Sequence, residues 1–163
     1  MDIDNKLIEA ACNGNIEEVK KYLDKGANIH AGNDLALRWA SSNGHTETVK
    51  LLLDRGANIR ACNDYALRYA SRNGHTETVK LLLDRGADIH ADDDLAFHWA
   101  SSNGHTETVK VLEEHIKLLE LRNEPITIKE ENWEIEITER FNLETIDCDE
   151  EIKELRKILK IKK

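Results

Sequence analysis

With 163 residues, 40% hydrophobic but only 5% aromatic, the chain suits one compact domain or one short array and cannot build a large aromatic core. Its 23 Lys and Arg against 32 Asp and Glu give a formal net charge of −9, a poor match to nucleic acid or an anionic membrane. No apolar stretch reaches the roughly 20 residues of a membrane span. The opening MDIDNKLIEA lacks the basic flank and apolar run of a signal peptide. Three cysteines in unrelated contexts point to free thiols in a reducing, cytoplasmic setting.

Along the chain, the first feature is self-similarity. NGHTETVK stands at 43–50, 73–80 and 103–110. Ala40, Ala70 and Ala100 share this spacing, as do Leu37, Leu67 and Phe97, and Trp39, Tyr69 and Trp99. Leu7, Ala10, Gly14, Val19, Leu23 and Gly26 fall in the same frame, so four units cover about 4–33, 34–63, 64–93 and 94–117. Each unit reads as two short helices. Asp34 and Asp64 are placed to cap a first helix with a carboxylate, and Leu37 and Ala40 share its apolar face. Asn-Gly ends it with a left-handed turn. A second helix starting near His45 carries Val49, Leu52 and Leu53 at helical spacing, and Gly56 stops it. ANIRACN then reads as an extended excursion into the next unit. A helix pair this short cannot bury its apolar face alone, so stacking of units must close the core.

Beyond the fourth unit the pattern changes. Ile116 stands where glycine is due, so the last helix is expected to run on to about Leu121 with Val109, Leu112, Ile116 and Leu119 as its stripe, before Pro125. ITIKEENWEIEIT alternates apolar and charged residues and predicts a β-hairpin, strands near 126–129 and 133–138, with Trp133, Ile135 and Ile137 on one face. Phe141 and Leu143 continue that alternation. DCDEEIKELRKILKIKK predicts a closing helix with acids first and lysines last, as the helix dipole prefers. The organisation expected is an array over 1–117 and a separate element over 118–163. That element either caps the array or serves as an assembly or effector surface.

LALRWASSNGHTETVKLLLDRGANIRA and its sisters resemble the ankyrin repeat family, over about two thirds of the chain, against the pattern T-P-L-H-x-A-A, G-H, E-V-V-x-x-L-L, G-A-D-V-N. The resemblance implies an all-helical solenoid of four helix-pair units, to which the hairpin and helix are appended. It departs from the pattern in several ways. The repeat is 30 residues long and not 33, the shortfall lying between Asn63 and Ala66, which implies a shortened or absent β-hairpin finger. Ala36, Ala66 and Ala96 replace the family's proline, and Arg38, Arg68 and His98 its histidine. Thr46, Thr76 and Thr106 stand where an apolar residue is usual. Short repeats of this kind look like those of giant DNA virus ankyrin proteins.

The repeats also differ from one another in a patterned way. Between 34–63 and 64–93 seven positions change, and none of them lies between 43 and 57. Core demand explains the constancy of Val49, Leu52 and Leu53 but not of Thr46, Glu47, Thr48 and Lys50. In the family the first helix and the hairpin tip line the concave, partner-reading face, so the resemblance implies that variation is concentrated where targets are read. The candidate contact residues there are Arg38, Arg60, Arg68, Arg72, Tyr65, Tyr69, His90 and His98. Guanidinium forks suit carboxylates and phosphates, and tyrosines supply contact energy. Trp39 and Trp99 are expected to pack between repeats.

His45, His75 and His105 are expected to bond the neighbouring loop and not a metal. No C-x-x-C, H-E-x-x-H, phosphate loop or G-x-S-x-G occurs, so neither catalysis, metal nor cofactor is expected. The expected function is a non-catalytic protein-binding module, an adaptor or inhibitor that docks an acidic or mixed-charge segment of another protein. Two alternatives stay open: a binder of a small anion such as a nucleotide, and an assembly protein that oligomerises through Trp133, Ile135 and Ile137.

Overall fold

Stacked repeats need helices short enough to lie side by side and turns tight enough to reverse the chain twice per unit. A computed structural model, described here for residues 2–123, shows eight helices that meet both needs. They are α1 (Ile3–Cys12), α2 (Ile16–Asp24), α3 (Ala31–Ser42), α4 (Thr46–Asp54), α5 (Ala61–Arg72), α6 (Thr76–Asp84), α7 (Ala91–Ser102) and α8 (Thr106–Asn123). The hairpin expected at 126–138, the segment after it and the closing helix lie outside the described residues, and so do Trp133, Ile135 and Ile137. Met1–Leu118 forms one compact unit. Within it the odd-numbered helices pack side by side in chain order, α1 on α3, α3 on α5 and α5 on α7. Helices α2, α4 and α6 form a second layer, each against the helix before it.

The core is the repeat written in three dimensions. Leu7, Leu37 and Leu67 from the odd layer, and Val19, Val49, Val79, Leu52, Leu82 and Leu112 from the even layer, are fully buried. Each such side chain contributes about 1.5–3 kcal/mol on leaving water. Ala10, Ala40, Ala70 and Ala100 let neighbouring helices approach closely. At the fourth unit Phe97 takes the leucine position and is only half buried. Helix α8 runs to Asn123 because Ile116 stands where Gly26, Gly56 and Gly86 end α2, α4 and α6.

The link between units differs from the extended excursion expected from ANIRACN. A tight turn leads straight into three consecutive left-handed residues: Gly32, Asn33 and Asp34; Cys62, Asn63 and Asp64; Asp92, Asp93 and Asp94. This conformation costs an ordinary L-residue about 1–2 kcal/mol, and Gly, Asn and Asp bear it best. Eight of the nine positions obey that preference, and Cys62, at φ 52, is the exception. The compact left-handed turn stands in place of a hairpin finger, which accounts for the short repeat.

Asp34 and Asp64 do not cap α3 and α5, contrary to the sequence expectation. Asp34 and Asp64 are almost fully buried. Their Oδ1 atoms accept from the backbone N–H of Asn58 and Asp88, each at 2.7 Å, and Asp4 accepts from Asn28 in the same way. In all three cases the carboxylate reaches the next unit's turn, 24 residues on, and not the first turn of its own helix. Burial pushes the Asp64 carboxyl above its ordinary value, although the Asp88 N–H and the charges of Arg60 and Arg68 pull it down.

NGHTETVK is explained by what it holds. The Ser42 carbonyl accepts from both Asn73 Nδ2 (2.8 Å) and His75 Nε2 (3.0 Å) of the next unit. Cys12 serves Asn43 and His45 in the same way, and Arg72 serves Asn103 and His105. Because a carbonyl only accepts, Nε2 carries the proton. The imidazole lies flat on the glycine of the preceding unit, where a Cβ on Gly44 would stand 2.5 Å from His75 Nδ1. Only glycine admits both that contact and a φ of +74. Thr46 Oγ1 meets Thr78 Oγ1 at 2.8 Å, and Thr76 meets Thr108 at the same distance. Constancy at both threonine positions therefore reflects unit-to-unit hydrogen bonds.

Candidate functional site

Helices α3, α5 and α7 present their variable positions along the odd layer, and there the side chains form a ladder. The Arg38 guanidinium lies over the Tyr65 ring, 4.3 Å from its centroid. Tyr65 and Tyr69, one helical turn apart on α5, stack with centroids 3.8 Å apart and planes 12° from parallel. Tyr69 meets the edge of Trp99 on α7 at 5.2 Å. Arg72 covers both rings, 5.6 Å from Tyr69 and 5.2 Å from Trp99. Burial, with Tyr69 as neighbour, raises the Tyr65 phenol above its ordinary value; Arg38 opposes this. Tyr65 therefore remains neutral across the physiological range and acts as a platform for the cation.

The six arginines with described side chains fall into two groups. Arg55 pairs with Asp24 at 2.9 Å and Arg85 with Asp54 at 2.8 Å, both between even-layer helices. Arg60, at the turn tip, reaches Asp88 at 3.4 Å and the Gly86 carbonyl at 3.2 Å. Arg68 is the most committed: only 11% of its side chain is exposed, and it donates to the Cys62 and Asn63 carbonyls and to Asp92. It braces the left-handed turn. Arg38 and Arg72 have no carboxylate partner among the described residues. Arg38 gives Nη1 to the Gly32 carbonyl at 3.3 Å, and its buried Nε has no hydrogen-bond partner.

The sequence candidates thus separate. Arg38, Tyr65, Tyr69 and Arg72 come together, with Trp99 as an added member. Arg60 and Arg68 are engaged in ion pairs and carbonyl contacts elsewhere. His90 Nδ1 sits 2.6 Å from Asp94 Oδ1 at the last turn, away from the ladder. His98 is exposed on α7, its ring edge-on to that of Phe97 at 6.1 Å. Trp99 packs across a unit boundary as expected, but Trp39 does not and is 42% exposed. The residue 24 positions on distinguishes Arg38 from Arg68, its counterpart in the next unit. Arg68 is followed at that distance by Asp92, whereas Arg38 is followed by the neutral Cys62.

Among the described residues no three His, Cys, Asp or Glu side chains are grouped to hold a metal ion, and no helix is long and apolar enough to cross a membrane. The His45, His75 and His105 rings are occupied by the backbone carbonyls, as expected.

Stacked helix pairs in one register, each contacting its neighbours, define a helical repeat solenoid. The family profile for ankyrin repeats (three copies) matches residues 7–93, more than half of the chain, and the chain belongs to the ankyrin repeat family. The structure adds α7 and the start of α8 as a fourth unit in the same frame. None of the curated proteins compared with this chain matches it. Ankyrin repeats are in general protein-interaction modules and typically non-catalytic.

Proposed function

We propose that this chain is a non-catalytic adaptor or inhibitor that docks an acidic or mixed-charge segment of a partner protein along its odd-helix layer. We also take the array to end near residue 117, with 118–163 a separate element. The observation that carries the reading is the partition of the six arginines with described side chains: four are neutralised by aspartates, and the two that are not lie on aromatic rings in one ladder. A guanidinium held against a ring loses less freedom when it receives a carboxylate. Tyr69 and Trp99 add large, rigid contact area beside it.

The reading is tested by selecting peptides from a random displayed library on the whole chain, then measuring the winners against the Arg38→Glu/Arg72→Glu variant. Acidic peptides should be enriched and should lose at least about tenfold in affinity to the variant, as truncation of interfacial charge pairs does elsewhere. Winners without acidic residues, or winners indifferent to the charge reversal, would remove the reading. Circular dichroism of the Arg38→Gln/Arg72→Gln pair separates lost recognition from lost fold.

A further inference from the structure

The two guanidiniums without a carboxylate partner among the described residues differ from a diffuse basic patch in being fixed at a set separation. Each rests on a ring, and the rings are themselves in contact through the Tyr65–Tyr69 stack. Centroid separations of 4.3, 3.8 and 5.6 Å, end to end, keep the two guanidinium carbons within about 14 Å, the length of about four residues of extended chain at ~3.3 Å each. Neither arginine can swing away without giving up its ring. The other arginines of the odd layer cannot substitute, since Arg68 and Arg60 are held by aspartates and carbonyls.

We infer that Arg38 and Arg72 form a two-point clamp for a single peptide segment of a partner protein, one carrying two carboxylates no more than about four residues apart along an extended chain. This inference rests on the protein-binding reading above and adds the partner's spacing. The chemistry is charge-assisted hydrogen bonding of each carboxylate to one guanidinium. The segment crosses from α3 to the C-terminal end of α5, over the two tyrosines. The second contact is intramolecular once the first has formed. Closely spaced carboxylates therefore gain avidity that widely spaced ones do not.

A rigid ruler tests it. Polyproline II repeats every three residues and rises about 3.1 Å per residue, so glutamates three and nine apart in proline share one face at ~9 and ~28 Å. Two peptides of equal length and charge, with these spacings, are titrated into the full chain. The short-spaced peptide should bind at least about tenfold tighter than the long-spaced one. Arg38→Gln and Arg72→Gln should each abolish that difference, bringing the short-spaced peptide down to the long-spaced value. Arg72 is exposed at the end of α5, so its variant tests the clamp even where Arg38→Gln perturbs packing. Equal binding of both peptides to the unmodified chain overturns the clamp but leaves the protein-binding reading standing. Failure of both peptides, together with no acidic enrichment from the library, overturns both. Displacement of the short-spaced peptide by ATP at lower concentration than by the peptide itself overturns the assignment to a protein ligand.

Discussion

At the scale of single residues, the aspartates after the left-handed turn make the sharpest case. Asp64 has two roles that pull apart: its oxygen satisfies the Asp88 N–H, and its charge sits in a buried place. Asp64→Asn keeps an acceptor oxygen and tolerates the left-handed backbone. Asp64→Ala leaves a partly buried N–H without a partner, which costs about 1–3 kcal/mol. Burial raises the carboxyl's folded-state pKa above its unfolded value, so the folded chain holds the proton more tightly. The contribution of Asp64 to stability is therefore greatest below the ordinary aspartate range and declines as pH rises through the folded-state value. Urea unfolding at pH 3.5 and at pH 7 should show Asp64→Asn close to the native chain in acid and gaining on it at neutral pH. If instead the native chain gained on Asp64→Asn with rising pH, the burial argument would be wrong.

At the scale of elements, the helices and their order were legible because they depend on local information. Leu37, Ala40, Val49 and Leu52 declare their faces by spacing, and Gly44 and Gly56 mark where each helix stops. What escaped the sequence depends on how units register against each other. Asp34 looks like a cap until Asn58 is seen above it, 24 residues on. Arg38 and Arg68 look equivalent until Asp92 is found to neutralise only the second. Trp39 and Trp99 look equivalent, yet Trp99 meets the Tyr69 ring of the unit before it and Trp39 is exposed. The threonines are the same kind of case, since Thr46 has meaning only beside Thr78. Thr78→Val removes one half of that pair and should cost about 1 kcal/mol, the usual net worth of a hydrogen bond. Replacing both, as Thr46→Val/Thr78→Val, removes donor and acceptor together and should cost less than the sum of the two single changes. A double-mutant cycle by chemical denaturation reads this directly; strict additivity would mean that the 2.8 Å contact contributes nothing.

At the scale of the whole molecule, the main helix contacts among the described residues join each unit to its neighbours, and the position of an interface decides what its loss does. The same histidine clasp occurs in the middle of the array, where His75 joins the third unit to the second, and near its end, where His105 joins the fourth to the third. Locally the two losses are alike: one hydrogen bond to a backbone carbonyl and the packing of an imidazole over Gly44 or Gly74. In an array stabilised by nearest-neighbour terms, weakening the central interface divides the stack into two short halves, neither with enough buried surface to stand well alone. Weakening the last one leaves three units joined. His75→Ala is therefore expected to lower the stability of α1 to α7 together by about 2 kcal/mol, in the range for a lost hydrogen bond with its packing. His105→Ala should lower protection mainly in α7 and α8. Amide hydrogen exchange resolved by peptide distinguishes the outcomes, since local opening and global unfolding free energies separate in such data. Uniform loss of protection across α1 to α8 in both variants would show that the units unfold as one block, and that the repeat in the sequence does not set the unit of cooperativity.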